Sequence, residues 1–143
     1  MEKKKISTAQ ILAFIISFVV AFLVASYFLS KNEPEVNETL VKISKEMNRS
    51  MPKMMDAETR LDSTSVGNNK LNYHYTLINI DKDSTYLNFE AVKSEMMEKA
   101  QSNLDTNPVM KEYRENDIAL QYIFKDKNNN NVFDYTVKPT VKN

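Results

Sequence analysis

The stretch Leu71-Asn72-Tyr73-His74-Tyr75-Thr76-Leu77 decides the fold. Leu71, Tyr73, Tyr75 and Leu77 share one side of an extended chain and Asn72, His74 and Thr76 share the other, the period-two pattern of a strand with one buried face. On its N-terminal side, Gly67-Asn68-Asn69 supplies a turn of residues that tolerate positive φ, and the threonine-rich segment from Glu58 to Val66 alternates weakly. The two segments read as a hairpin. On the C-terminal side, Ile78 and Ile80 continue the alternation on the His74 face, so that face is expected to be partly covered.

A second hairpin is read further on. Ile118, Leu120, Tyr122 and Phe124 alternate, Val132 to Val137 is β-branched and aromatic, and the polar run Asp126 to Asn131 lies between them. Helical periodicity fills the rest. Val36, Leu40, Ile43 and Met47 recur at helical spacing, with Pro34 before them and Pro52 after. Leu87, Phe89, Val92, Met96, Ala100 and Leu104 form the stripe of a longer core helix, which Asp83-Ser84 is expected to cap. Val109, Met110 and Tyr113 follow Pro108 as a short helical segment.

The order α-β-β-α-α-β-β predicts an α+β domain with an antiparallel sheet of about four strands, packed on one face by helices. An almost unbroken apolar run from Ile11 to Leu29 precedes it, and at about 1.5 Å per helical residue a span from Ile6 to Leu29 matches the hydrocarbon core of a bilayer. The reading divides the chain into a Lys-rich tip and transmembrane anchor (1–30), a short linker (31–34) and an extracytoplasmic domain (35–143). Lys3, Lys4 and Lys5 set the topology, with the N-terminus inside and the domain outside a bacterial inner membrane. Cleavage of the apolar run as a signal peptide, giving a secreted form, is the alternative.

The chain has 143 residues, no cysteine, one glycine and one histidine. An exported domain without disulfides must be held by its core alone. Beyond Lys5 there are 16 basic and 18 acidic residues, a balance without the basic footprint of a nucleic-acid binder.

Pro52-Lys53-Met54-Met55-Asp56-Ala57-Glu58-Thr59-Arg60-Leu61-Asp62-Ser63, with Tyr73-His74-Tyr75-Thr76-Leu77 after it, resembles small bacterial envelope proteins of unassigned function. The likeness extends to Tyr122-Ile123-Phe124-Lys125-Asp126. It implies an envelope-facing domain and transfers no active site. Members of that group often have cysteines near the end of the core helix and near the C-terminus, where this chain has none.

Candidate chemistry is sparse. Asp126, Asn128 and Asn130 match the first three ligand positions of a calcium loop, but Asn131 stands at the glycine position and Val137 at the closing glutamate, which favours an asparagine-rich turn. Met47, Met51, Met54 and Met55 could supply thioethers to Cu(I), yet methionines at helical spacing are core fillers. A lone His74 cannot build a nitrogen-rich metal site, and a single glycine excludes a glycine-rich phosphate cradle. Tyr73, Tyr75 and Tyr122 are expected on the core side, with Asp56 and Arg60 as hydroxyl partners; a tyrosine-lined groove is their functional counterpart.

The expectation is therefore a non-enzymatic, cofactor-free envelope module that binds a protein partner in an accessory, inhibitory or immunity role. Ile78, Ile80 and Ile123 are its candidate contact surface. A module for a small ligand or lipid is the alternative.

Overall fold

The computed structural model describes residues 36–141. In chain order it contains α1 (Val36–Asn48), β1 (Lys53–Met54), β2 (Thr59–Gly67), β3 (Lys70–Leu77) and α2 (Phe89–Thr106). A 3-10 turn (Pro108–Met110), α3 (Lys111–Glu115), β4 (Ala119–Asp126) and β5 (Asn131–Val137) follow. The strands form one sheet in the spatial order β1-β2-β3-β4-β5.

This corrects the expected fold class. The sheet has five strands rather than about four, and it is mixed: β3 and β4 run parallel, while the other neighbours are antiparallel. The two hairpins lie side by side. The crossover from Ile78 to Ile118 contains α2 and α3 and returns the chain to the starting end of β3, which is what a parallel pair requires. The proposed transmembrane span and the topology-setting Lys3, Lys4 and Lys5 lie outside the described residues. Among the described residues, no helix is long and apolar enough to cross a membrane.

Register explains the core. Tyr73, Tyr122 and Tyr135 stand opposite one another on β3, β4 and β5, and Tyr75, Phe124 and Phe133 form the next row. Ring centroids along the first row are 5.3 and 4.9 Å apart, and along the second 4.8 and 4.7 Å. Cross-strand aromatic contacts of this kind contribute about 0.5–1.5 kcal/mol per pair beyond the area they bury. Leu40, Ile43 and Met47 of α1, with Met96, Ala100 and Leu104 of α2, join the same buried cluster, so the helices cover this one face. α1 packs on β2 and α2 on β5, while Met110 and Tyr113 complete the cluster.

Local signals fix the ends. The side chain of Asn88, rather than Asp83-Ser84, caps α2 by accepting from the Ala91 amide at 3.1 Å. Asn107 does the same for the 3-10 turn, accepting from Val109 at 3.0 Å. At the other end of α2, Arg114 is buried and donates from Nη1 to the carbonyls of Leu104 (2.9 Å) and Asn107 (2.8 Å). A cation there satisfies terminal carbonyls and opposes the negative end of the helix.

Candidate functional site

The other face of the sheet carries no packed helix among the described elements, and its residues follow from the same register. Ser65, Asn72, Gln121 and Thr136 form one row across β2 to β5, and Ser63, His74, Ile123 and Asp134 form the next. Arg60, Thr76 and Lys125 form a third. A bulge between Leu61 and Ser63 inserts Asp62 into β2, where its carboxylate accepts from Thr76 Oγ1 and Arg60 Nε. Gln121 Nε2 donates to Asp134 Oδ2 at 3.3 Å, and Lys125 Nζ to Asn129 Oδ1 at 3.0 Å. Most of these side chains are half-buried, giving a polar face with Ile123 near its centre.

His74 lies on this face, opposite the tyrosines, as the alternation places it. The structure adds a neighbour: Ser65 Oγ is 2.8 Å from His74 Nε2, and Asn72 Nδ2 donates to the same hydroxyl at 3.2 Å. Burial lowers the His74 pKa from 6.5, Lys125 lowers it further, and Asp62 works in the opposite direction. At neutral pH the ring is therefore uncharged, able to accept the Ser65 proton in a hydrogen bond. A nucleophile and base in contact are two parts of an acyl-transfer site. Among the described residues no carboxylate bonds the imidazole to orient it, because Asp62 is committed to Thr76 and Arg60. The sequence does not show the serine because it meets His74 diagonally across the hairpin, through the register that the Asn68-Asn69 turn sets.

The three isoleucines separate. Ile123 is half-buried on the open face. Ile80 is not there: β3 ends at Leu77, the chain turns with the Ile80 amide donating to the Leu77 carbonyl at 3.2 Å, and Ile80 enters the core at 8% exposure. Ile78 sits in that turn, half-buried. The alternation could not be extended beyond Leu77 because the backbone is no longer extended there.

Other candidates have structural duties. The Asp126 carboxylate accepts four hydrogen bonds, from the amides of Lys82 (3.0 Å), Asn128 (2.9 Å) and Asn130 (2.8 Å) and from Asn130 Nδ2 (3.2 Å). It is the hub of the β4–β5 turn and ties it to the β3–α2 connection. Among the described residues there is no group of three or more histidine, aspartate or glutamate side chains placed to hold a metal ion. Met47 and Met55 are buried, Met51 packs against the core and Met54 is 46% exposed, so the four methionines do not converge. Tyr73, Tyr75 and Tyr122 are core residues whose phenol pKa values are pushed up, first of all by burial. Asp56 and Arg60 are engaged elsewhere: Asp56 Oδ1 accepts from the amides of Glu58 and Thr59, both at 2.7 Å.

Residues 35–133 match the family model described as domain of unknown function DUF8479. The chain belongs to that family. No functionally curated protein matches it. Two solved structures share the DUF8479 fold seen here. One is a candidate secreted protein of Pseudomonas aeruginosa, 16% identical, with a TM-score of 0.59 over 71% of this chain and 88% of the other. The second is the pilotin of the Vibrio vulnificus type 2 secretion system, 8% identical, with a TM-score of 0.57 over 76% of this chain and 93% of the other. At these identities the likeness is one of fold.

Proposed function

We propose that this protein is a binding module of the bacterial cell envelope, whose domain works outside the cytoplasm and engages a protein partner through the open face of its sheet. The observation that carries this reading is that face itself. It is uncovered by any described helix and presents Ile123 among His74, Gln121, Asp134 and other polar groups, a mixed surface suited to a protein contact. Support for the location comes from two directions. The lysine triplet and apolar run at the N-terminus have the composition of a segment that directs export, and the fold is one that a secretion-system pilotin and a candidate secreted protein also adopt. Binding rather than catalysis is favoured because, among the described residues, no carboxylate bonds the His74 imidazole to orient it beside Ser65, Asp62 being held by Thr76 and Arg60.

The test is crosslinking in living cells. A photoreactive residue replacing Ile123 is compared with one replacing the exposed Lys53 at the sheet edge. A discrete adduct with one envelope protein from position 123, absent from position 53, is the expected result. Equal labelling from both positions, or none from 123 in folded protein, overturns the reading.

A further inference from the structure

We propose that contact at the open face is gated by a proton: the partner is held while the His74 ring is neutral and is loosened when the ring takes up a second proton. This rests on the open-face reading and adds its regulation.

The ring sits where a partner has to cover it. His74 on β3 is the Cα partner of Ile123 on β4, and adjacent strands are about 4.8 Å apart, so a surface that buries Ile123 also buries the imidazole. Both side chains are half-buried before any contact. Removing the remaining water from a neutral ring costs little beside removing it from an imidazolium, which is expensive unless a counter-charge replaces it.

No free counter-charge waits on the face. Burial already disfavours the charged ring, Lys125 of β4 adds to that, and Asp62 of β2 opposes it. Asp62 is itself engaged, accepting from Thr76 Oγ1 and Arg60 Nε. Asp134 of β5 belongs to the His74 row but lies beyond Ile123, two strand spacings or about 10 Å away, and accepts from Gln121. On β3 itself, Lys70 is four residues off, about 13 Å along the strand. Among the described elements no helix packs on this face to bring another charge.

The hydrogen bonds change with the proton as well. Neutral Nε2 accepts from Ser65 Oγ, 2.8 Å away, and the same oxygen accepts from Asn72 Nδ2 at 3.2 Å. On an imidazolium Nε2 is a donor. Ser65 Oγ then faces two donors, and its own proton must turn outward, to water in the free domain and into the partner in the complex. The charge and the displaced hydroxyl proton both disfavour the covered state. Covering therefore holds the ring neutral to lower pH than in the free domain, and by linkage acid releases the partner.

The full chain with a photoreactive residue in place of Ile123 tests this in living cells, moved between media of pH 7.5 and pH 5 before a short flash of light. Outside the cytoplasm the medium sets the pH. The adduct formed at pH 7.5 should fall about fivefold at pH 5, as the free ring fills with protons that the covered ring resists. Adding His74→Gln, whose amide gains no proton, should give equal adduct at both values, and its adduct at pH 7.5 shows that the variant folds. Adding Lys125→Met instead removes a neighbouring cation and should move the midpoint of the loss to higher pH; it decides the matter if the glutamine variant yields no adduct. No adduct from folded protein at either pH removes the open-face reading, and this inference with it. An adduct that persists or grows at pH 5, a loss that His74→Gln shares, or a midpoint that Lys125→Met leaves in place overturns the proton gate alone.

Discussion

The side-chain amide of Asn48 pairs with Thr64 as a strand residue would, its Oδ1 2.7 Å from the Thr64 amide nitrogen and its Nδ2 2.9 Å from the Thr64 carbonyl oxygen. Ser44 adds a hydroxyl contact to Thr64 Oγ1 at 2.8 Å. The last turn of α1 thus closes part of the β2 edge that the two-residue β1 is too short to cover. Asn48→Ala leaves both backbone groups of Thr64 to find water, so it should cost about 1–2 kcal/mol. Urea unfolding of the variant against the parent measures this, and a change below about 0.3 kcal/mol would show that the pairing is incidental.

Asp126 makes stability depend on acid. Burial acts to raise its pKa from 3.8, but hydrogen bonds from Lys82, Asn130 and Asn128 outweigh it, and the folded value is lower. A depressed carboxyl contributes stability that is present above the unfolded pKa and lost as the pH falls through the folded one. Asp126→Asn keeps one acceptor oxygen and loses the titration. The variant should be less stable at pH 7, and the difference from the parent should shrink as the pH is lowered below 4. Urea midpoints measured across that range decide it; a gap that stays constant with pH contradicts the assignment.

Gly67 is the only glycine in the chain, yet the turn does not need it. Positive φ falls on Asn68 (52°) and Asn69 (54°), the two-residue turn that matches strand twist, while Gly67 itself pairs with Lys70 in the ladder. A Cβ at Gly67 would meet nothing within 4 Å. Gly67→Ala should therefore stabilise the domain by about 0.4–1 kcal/mol, through the entropy of the unfolded chain. Asn69→Ala should destabilise it, because the left-handed conformation disfavours an ordinary side chain by about 1 kcal/mol. Thermal melts of both variants check the pair of opposite signs.

What could be read from sequence was what repeats locally. Leu71 to Leu77 announces its buried face through period two, and Leu40, Ile43 and Met47 announce theirs through helical spacing, because in each case one face repeatedly meets the core. Pairing between segments leaves no such trace. Nothing in Ile118 to Phe124 states that its neighbour is β3 in parallel, and Lys53–Met54 is too short to show a period. Alternation puts Ile80 on the open face, whereas the strand stops at Leu77 and Ile80 is buried in the core. The Ser65–His74 contact needs the hairpin register, which pairs Ser65 with Asn72 and Ser63 with His74 and which a single sequence does not display.

His74 reports on the open face, and as the only histidine it gives an unambiguous ring signal in a proton NMR titration. Burial and Lys125 lower its pKa from 6.5, against a smaller opposing effect from Asp62. The midpoint is expected below 6.5 in the folded domain. Lys125→Met removes a neighbouring positive charge and should move it upward, whereas Asp62→Asn should move it downward. Stability follows from the sign. The folded state favours the neutral ring and the unfolded chain binds the proton more readily, so the contribution is complete above 6.5 and lost as the pH falls from there through the folded pKa. His74→Gln should flatten the stability profile across that interval and leave it unchanged above. A midpoint at or above 6.5 would mean that the ring is better solvated than the packed face allows, and would overturn burial as the main cause of the shift.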